Sequence, residues 1–165
     1  MVIKWGFTLI ELIVVIGLLG LLSVAISGIM LTSLVSSSNV RSATKVKQAG
    51  NYVLGQVQNL VRNAKSVVIC NSAGSPPLIT LINPDGGTTT LASESDGTNT
   101  RIASNSGIYL TPPNLAVTNY SLSCAPSDTD PTLVNFAFDL HDTQSSRAAT
   151  SPTLHFETSV NLRNQ

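Results

Sequence analysis

Charge is scarce in this chain, and near its start it is almost missing. Glu11 is the only charged side chain between Lys4 and Arg41, and the run from Phe7 to Val35 has no proline to break a helix. Motifs of enzyme chemistry are lacking as well. There is no glycine-rich phosphate loop, no paired-cysteine metal motif and no His-Glu-x-x-His. The two histidines, His141 and His155, fall on expected strands without a convergent set of acids or nucleophiles. His141 and Asp142, as strand neighbours, should point to opposite faces. Asp128-Thr129-Asp130 offers two carboxylates in a loop, whereas calcium takes about six to eight oxygens. The expectation is a protein with no enzyme activity, no metal ligand and no cofactor.

What is present is a long apolar run. Phe7 to Val35 supplies 29 positions rich in Leu, Ile and Val. A bilayer core about 30 Å thick needs about 20 apolar residues at 1.5 Å each, so one membrane helix fits. Gly17, Gly20, Ser23, Ser27 and Gly28 lower helix propensity but let neighbouring helices approach closely. Lys4 precedes the run, while Arg41, Lys45 and Lys47 follow it, so flanking charge does not orient the segment. A carboxylate at membrane depth costs about 2.5–3.5 kcal/mol on insertion scales, which marks Glu11 as a functional residue. A conventional signal peptide cut after Ala25-Ile26-Ser27 and a plain uncleaved anchor are two other readings of the run. Its length and the carboxylate inside it speak against the first, and that carboxylate speaks against the second.

The residues Gly6-Phe7-Thr8-Leu9-Ile10-Glu11-Leu12, followed by the apolar helix, resemble the leader of the type IV pilin superfamily, which includes the pseudopilins of type II secretion and competence systems. The resemblance covers about the first 35 positions. It implies that prepilin peptidase, a membrane aspartic peptidase, cuts between Gly6 and Phe7 and N-methylates Phe7. Gly6 leaves the scissile bond open to a protease cleft. Glu11 then becomes the fifth mature residue, which the family uses for subunit assembly against the N-terminal amine of a neighbour. Burying a carboxylate is tolerable when it is paired in this way. Members commonly carry a proline midway along the membrane helix; here Ser27-Gly28 stands roughly in that place.

Beyond the apolar run, Val46, Gly50, Val53, Val57, Leu60, Val61 and Ala64 recur at helical spacing as one stripe. Gly50 and Gly55 each cost a helix about 1 kcal/mol relative to alanine. One helix from Phe7 to about Lys65 would be about 88 Å long. After Lys65 the composition turns to Ser, Thr, Asn, Pro and Gly, with short β-branched runs. Strands are expected at 66–70, 78–82, 88–91, 107–110, 116–124, 132–140 and 153–162, with a tight turn at Asn83-Pro84-Asp85-Gly86-Gly87. Within 133–140, Val134, Phe136, Phe138 and Leu140 form one apolar face. Segments 92–105, 127–131 and 143–151 read as exposed or mobile loops. The expected class is α+β: a long N-terminal helix whose stripe is buried on a face of one small antiparallel sheet. The divisions are a leader at 1–6, a transmembrane and assembly helix at 7–35, its amphipathic continuation at 36–65, and an extracytoplasmic head at 66–165.

Cys70 and Cys124 both lie at ends of expected strands, and an exported head makes a disulfide plausible. Two free thiols are the alternative. Charge is lopsided: five cations face one acid from Phe7 to Lys65, and eight acids face three arginines from Ser66 onward. The two regions either attract each other between stacked subunits or are ordinary solvated surface. Nothing resembles a nucleic-acid patch, so direct nucleic-acid binding is not indicated. The resemblance implies a structural subunit, a minor pilin or pseudopilin, made in the cytoplasmic membrane and extracted into a filament. Its partners would be other pilins, prepilin peptidase, a membrane assembly platform and, before assembly, the lipid bilayer. The alternative is a membrane-tethered binding module that does not polymerise.

Overall fold

The computed structural model describes residues 8–105, 107–129, 131–144 and 152–162. One long helix, α1 (Leu9–Asn63), precedes seven strands. These are β1 (Ser66–Asn71), β2 (Leu78–Ile82), β3 (Thr88–Ser95), β4 (Thr100–Ser104), β5 (Leu115–Ala125), β6 (Leu133–Asp142) and β7 (Leu154–Asn161). Contacts divide the chain into two units, the first reaching Val40 and the second beginning at Arg41.

In the first unit, α1 opens with Thr8 as its cap. The Glu11 backbone N–H donates to Thr8 Oγ1 at 3.3 Å, and the Leu12 N–H donates to the Thr8 carbonyl at 3.2 Å. Thr8 followed by Glu11 three residues later is a capping-box spacing. Hydroxyls inside the apolar run return to the helix itself. Ser23 donates to the Leu19 carbonyl, Ser27 to that of Ser23, and Thr32 to that of Ile29. These three hydroxyls thus need no water, as a bilayer would require of them.

In the second unit, the continuing helix buries Ser42, Val46, Gly50, Val53, Val57 and Val61, at steps of three and four residues. Leu60 is only partly buried, and Ala64 closes the stripe just past the helix end. The strands form two antiparallel sheets, β1-β2-β3-β4 and β5-β6-β7. Both contribute to one core: Ile79, Leu81, Leu91 and Ile102 from the first, and Leu115, Leu122, Phe136, Phe138, Leu140 and Val160 from the second. Two sheets, where the sequence suggested one, follow from the link between β4 and β5. Pro112 and Pro113 have no N–H for a ladder, and Thr111 is spent on β4, its hydroxyl accepting from the Ile102 N–H. The ladder therefore ends at β4.

Two further expectations are corrected in the same region. Residues 92–105 are not a loop: β3 runs to Ser95, and β4 pairs with it from Ser104 opposite Leu91 to Thr100 opposite Ser95. The tight turn at 96–99 is held by Asp96 Oδ1, which accepts from the Thr98 and Asn99 N–H groups at 2.9 and 2.8 Å. β4 was hard to see because Ile102 is its single large apolar residue. Conversely, 107–110 is not a strand, making only an isolated bridge between Tyr109 and Ala103. Arg101 secures this stretch by donating to the Thr111 carbonyl, pairing with Asp96 at 3.3 Å and lying 4.1 Å from the Tyr109 ring centre.

The turn at 83–87 forms as expected, with Asn83 N–H on the Gly87 carbonyl at 2.7 Å and Gly86 at a φ of 84° that favours glycine. β6 alternates without a break, burying Val134, Phe136, Phe138, Leu140 and Asp142. β5 does not. Leu115 and Val117 face the core, then Tyr120, Leu122 and Cys124 do so. The phase changes at a bulge between Thr118 and Ser121, where Asn119 adopts a φ of 50°. One extra residue turns every following side chain to the other face. Without it, Cys124 would face away from the core.

α1 lies against the second sheet at three places. Ser42 Oγ donates to Asp142 Oδ2 at 3.0 Å, Gln58 Nε2 donates to Thr158 Oγ1 at 2.8 Å, and Gly50 between them sits on the Phe156 ring. A methyl at Gly50 would fall inside that ring, whereas one at Gly55 meets nothing. Gly50→Ala should therefore destabilise by about 1–3 kcal/mol, overpacking outweighing the helix gain. Gly55→Ala should stabilise by up to about 1 kcal/mol. Chemical denaturation of the two variants checks this; equal and favourable effects would contradict the close approach.

Candidate functional site

The assembly residues expected from the sequence lie in the first unit. Gly6 and Phe7, the expected cleavage site and methylated terminus, lie outside the described residues. Glu11 stands in the first turn of α1, and its carboxylate makes no ion pair among the described residues. Around it the helix packs against nothing: Leu9, Ile10, Leu12, Ile13 and every large apolar residue on to Leu34 are exposed. α1 is long and apolar enough to cross a membrane. An apolar surface this continuous has no place in water. The combination is a bare apolar cylinder bearing one carboxylate near its start.

In the second unit, Cys70 at the end of β1 and Cys124 at the end of β5 are joined, tying the two sheets together. Their separation of 54 positions gives a stabilisation of about 4 kcal/mol in the chain-entropy account. Among the described residues, Cys70, Cys124 and Asp128 are a trio of metal-ligating types whose ligand atoms all lie within 4.8 Å of one another. The two sulfurs are bonded to each other, so neither is a thiolate ligand. Asp128 Oδ2 accepts from the Ser72 N–H and hydroxyl at 3.2 and 2.7 Å, pinning the loop after β5 to the disulfide. Asp130, its suggested calcium companion, lies outside the described residues.

The outer face of the second sheet is mostly polar. Ser123, Asn135 and Ser159 stand in one cross-strand row, Ser121, Ala137 and Glu157 in the next. The small Ala137 leaves a shallow depression there, of about 360 Å³. Beside it, Asp139 pairs with His155, with Nδ1 and Oδ1 2.6 Å apart, and Asn119 Nδ2 donates to the other oxygen of Asp139 at 2.6 Å. Glu157 Oε2 lies 3.7 Å from His155 Nε2. His155 thus does gather acids, contrary to the expectation from sequence. The pairing of β6 with β7 and the bulge at Asn119 bring them together, and neither is a local pattern. His141 shares this face while its neighbour Asp142 is buried, as strand alternation requires.

Charge follows this geometry. The hydrogen bond from Asn119, then that of His155, holds the Asp139 carboxyl below its ordinary value. The Asp139 hydrogen bond holds the His155 imidazole above its ordinary 6.5. Within the core, burial pushes the Tyr120 phenol well up, and its hydroxyl has no hydrogen-bond partner among the described residues.

Comparison of the chain with protein-family models, with curated proteins and with solved structures gives no match.

Two outcomes follow for the head. Non-reducing digestion should yield Cys70 and Cys124 in one linked peptide pair, and reduction should lower the thermal midpoint. For His155, the raised folded value means that its contribution is complete below 6.5 and is lost as pH rises through the folded value, which lies above 6.5. Asp139 contributes above 3.8 and fades as pH falls through its depressed value. Proton NMR should place the His155 midpoint above 6.5, and Asp139→Asn should lower it. A midpoint unmoved by that change would show that the pair does not form.

Proposed function

We propose that the chain is a structural subunit of the type IV pilin superfamily, a minor pilin or pseudopilin of a pilus, type II secretion or competence-type filament. The observation that carries this reading is an exposed apolar helix, introduced by Gly6-Phe7-Thr8-Leu9-Ile10-Glu11, whose only charge before Arg41 is Glu11 in its first turn. A plain anchor would gain from losing that charge. An assembling helix gains from keeping it, because the N-terminal amine of an adjacent copy neutralises it. The apolar surface is accommodated first by lipid and then by neighbouring helices packed through Gly17, Gly20, Ser23 and Gly28.

In this reading prepilin peptidase releases residues 1–6 and methylates Phe7, and an assembly platform draws the subunit from the membrane. The head is extracytoplasmic, where the Cys70–Cys124 bond is stable. No enzymatic step belongs to the chain itself; its work is to occupy a filament position and present its head.

Mass spectrometry of the mature protein should find a chain beginning at N-methylated Phe7. Glu11→Ala should be cleaved and inserted normally yet be lost from sheared filaments, since removing one member of a buried ion pair costs about 3–5 kcal/mol. The N-terminus of the variant is read in the same sample, so that a processing defect is not mistaken for an assembly defect. Incorporation at the wild-type level would sink the assembly role and leave a tethered binding module. A mature terminus near Ile26 or Gly28 would instead establish a conventional signal peptide.

A further inference from the structure

We propose that His155 and Glu157 form a surface site for a divalent transition cation of the zinc class, with Asp139 as the residue that positions the imidazole. This goes beyond the structural role argued above and does not depend on it.

The site is built across three strands. At the β5 bulge Asn119 is turned toward β6, and its amide holds one oxygen of Asp139. The other Asp139 oxygen faces His155 Nδ1 at 2.6 Å. A carboxylate acceptor at Nδ1 keeps the neutral ring's proton there and leaves Nε2 as the lone-pair nitrogen. That is the arrangement by which metal-bound histidines are oriented and made more basic.

Nε2 then faces the carboxylate of Glu157, two residues along β7 on the same face of the sheet. Their 3.7 Å separation is too long for a hydrogen bond. It suits two ligands sharing one ion, since zinc lies about 2.0–2.2 Å from nitrogen or carboxylate oxygen and spreads its ligands tetrahedrally. With a neutral ring, two electron-pair donors confront each other across that gap, a conflict that either a proton on Nε2 or a shared cation resolves. Nitrogen with carboxylate oxygen is a donor set for zinc-class ions, whereas magnesium and calcium prefer oxygen alone. His155 and Glu157 are 58% and 80% exposed, so the remaining positions are open to water or to a donor from another molecule.

The test is zinc titration of the untagged full-length chain in detergent micelles, followed by isothermal calorimetry and by His155 ring resonances. One saturable equivalent should bind. His155→Ala should abolish it, Glu157→Gln should weaken it at least tenfold, and Asp139→Asn should weaken it about 10–100-fold. His141→Ala, on the same face, should bind as the wild type does. Zinc should raise the thermal midpoint of the wild type and not that of His155→Ala, a readout that also shows the variant is folded. Unchanged binding in His155→Ala, loss of binding in His141→Ala, or no saturable binding would overturn the site. Unchanged binding in Asp139→Asn would overturn the positioning role.

Discussion

The contact between Gly50 and Phe156 sets the distance between α1 and the second sheet, and much of the head depends on it. With no side chain at position 50, the helix backbone rests on the ring face. Ser42 and Gln58, eight residues to either side, then reach Asp142 and Thr158. Phe156 in turn stacks on Phe138 at 5.3 Å, Phe138 meets Phe136, and Phe136 takes the edge of Tyr120. A line of aromatic contacts therefore runs from the helix across all three strands. With so few aromatic residues in the chain, concentrating them here gives a small domain much of its buried area.

The acidic composition of the head is largely an internal matter. Asp96 caps its own turn and pairs with Arg101, Asp128 is bound to Ser72, Asp142 to Ser42, and Asp139 to Asn119 and His155. Asp85 accepts from the Gly87 N–H in the β2–β3 turn. These carboxylates organise loops and strand ends. Among the described residues, Glu157 and Asp85 are the exposed acids of the head. Arg41, Lys45, Lys47, Arg62 and Lys65 are exposed too, and no ion pair among the described residues involves them.

The first unit has a different surface. From Leu9 to Val35 its helix presents aliphatic side chains on every face, and Ser23, Ser27 and Thr32 return their hydroxyls to its own carbonyls, as suits a helix in lipid or among other apolar helices. Glu11 departs from that pattern as the one charged side chain of the run, in the first turn of α1. The disulfide and the aromatic core supply the head with stability of its own.

The amino-acid sequence by itself determined the features that depend on local periodicity. The apolar run, the stripe from Val46 to Ala64, the alternation along β6 and the turn at 83–87 were all legible because each repeats at 3.6 or 2 residues or uses turn chemistry. The isolated Glu11 was legible for the same reason, as a break in an otherwise uniform run. Tertiary structure alone decided what depends on partners distant in the chain. β4, with only Ile102 to mark it, exists because β3 lies beside it. Gly50 looked like a helix defect until Phe156 occupied the space its side chain would have taken. The bulge at Asn119 changed the phase of β5, so that Cys124 reached Cys70 and Asp139 gained the amide that holds it. The convergence of Asp139, His155 and Glu157 came from strand register, and register is set by long-range pairing that no window of neighbouring residues contains.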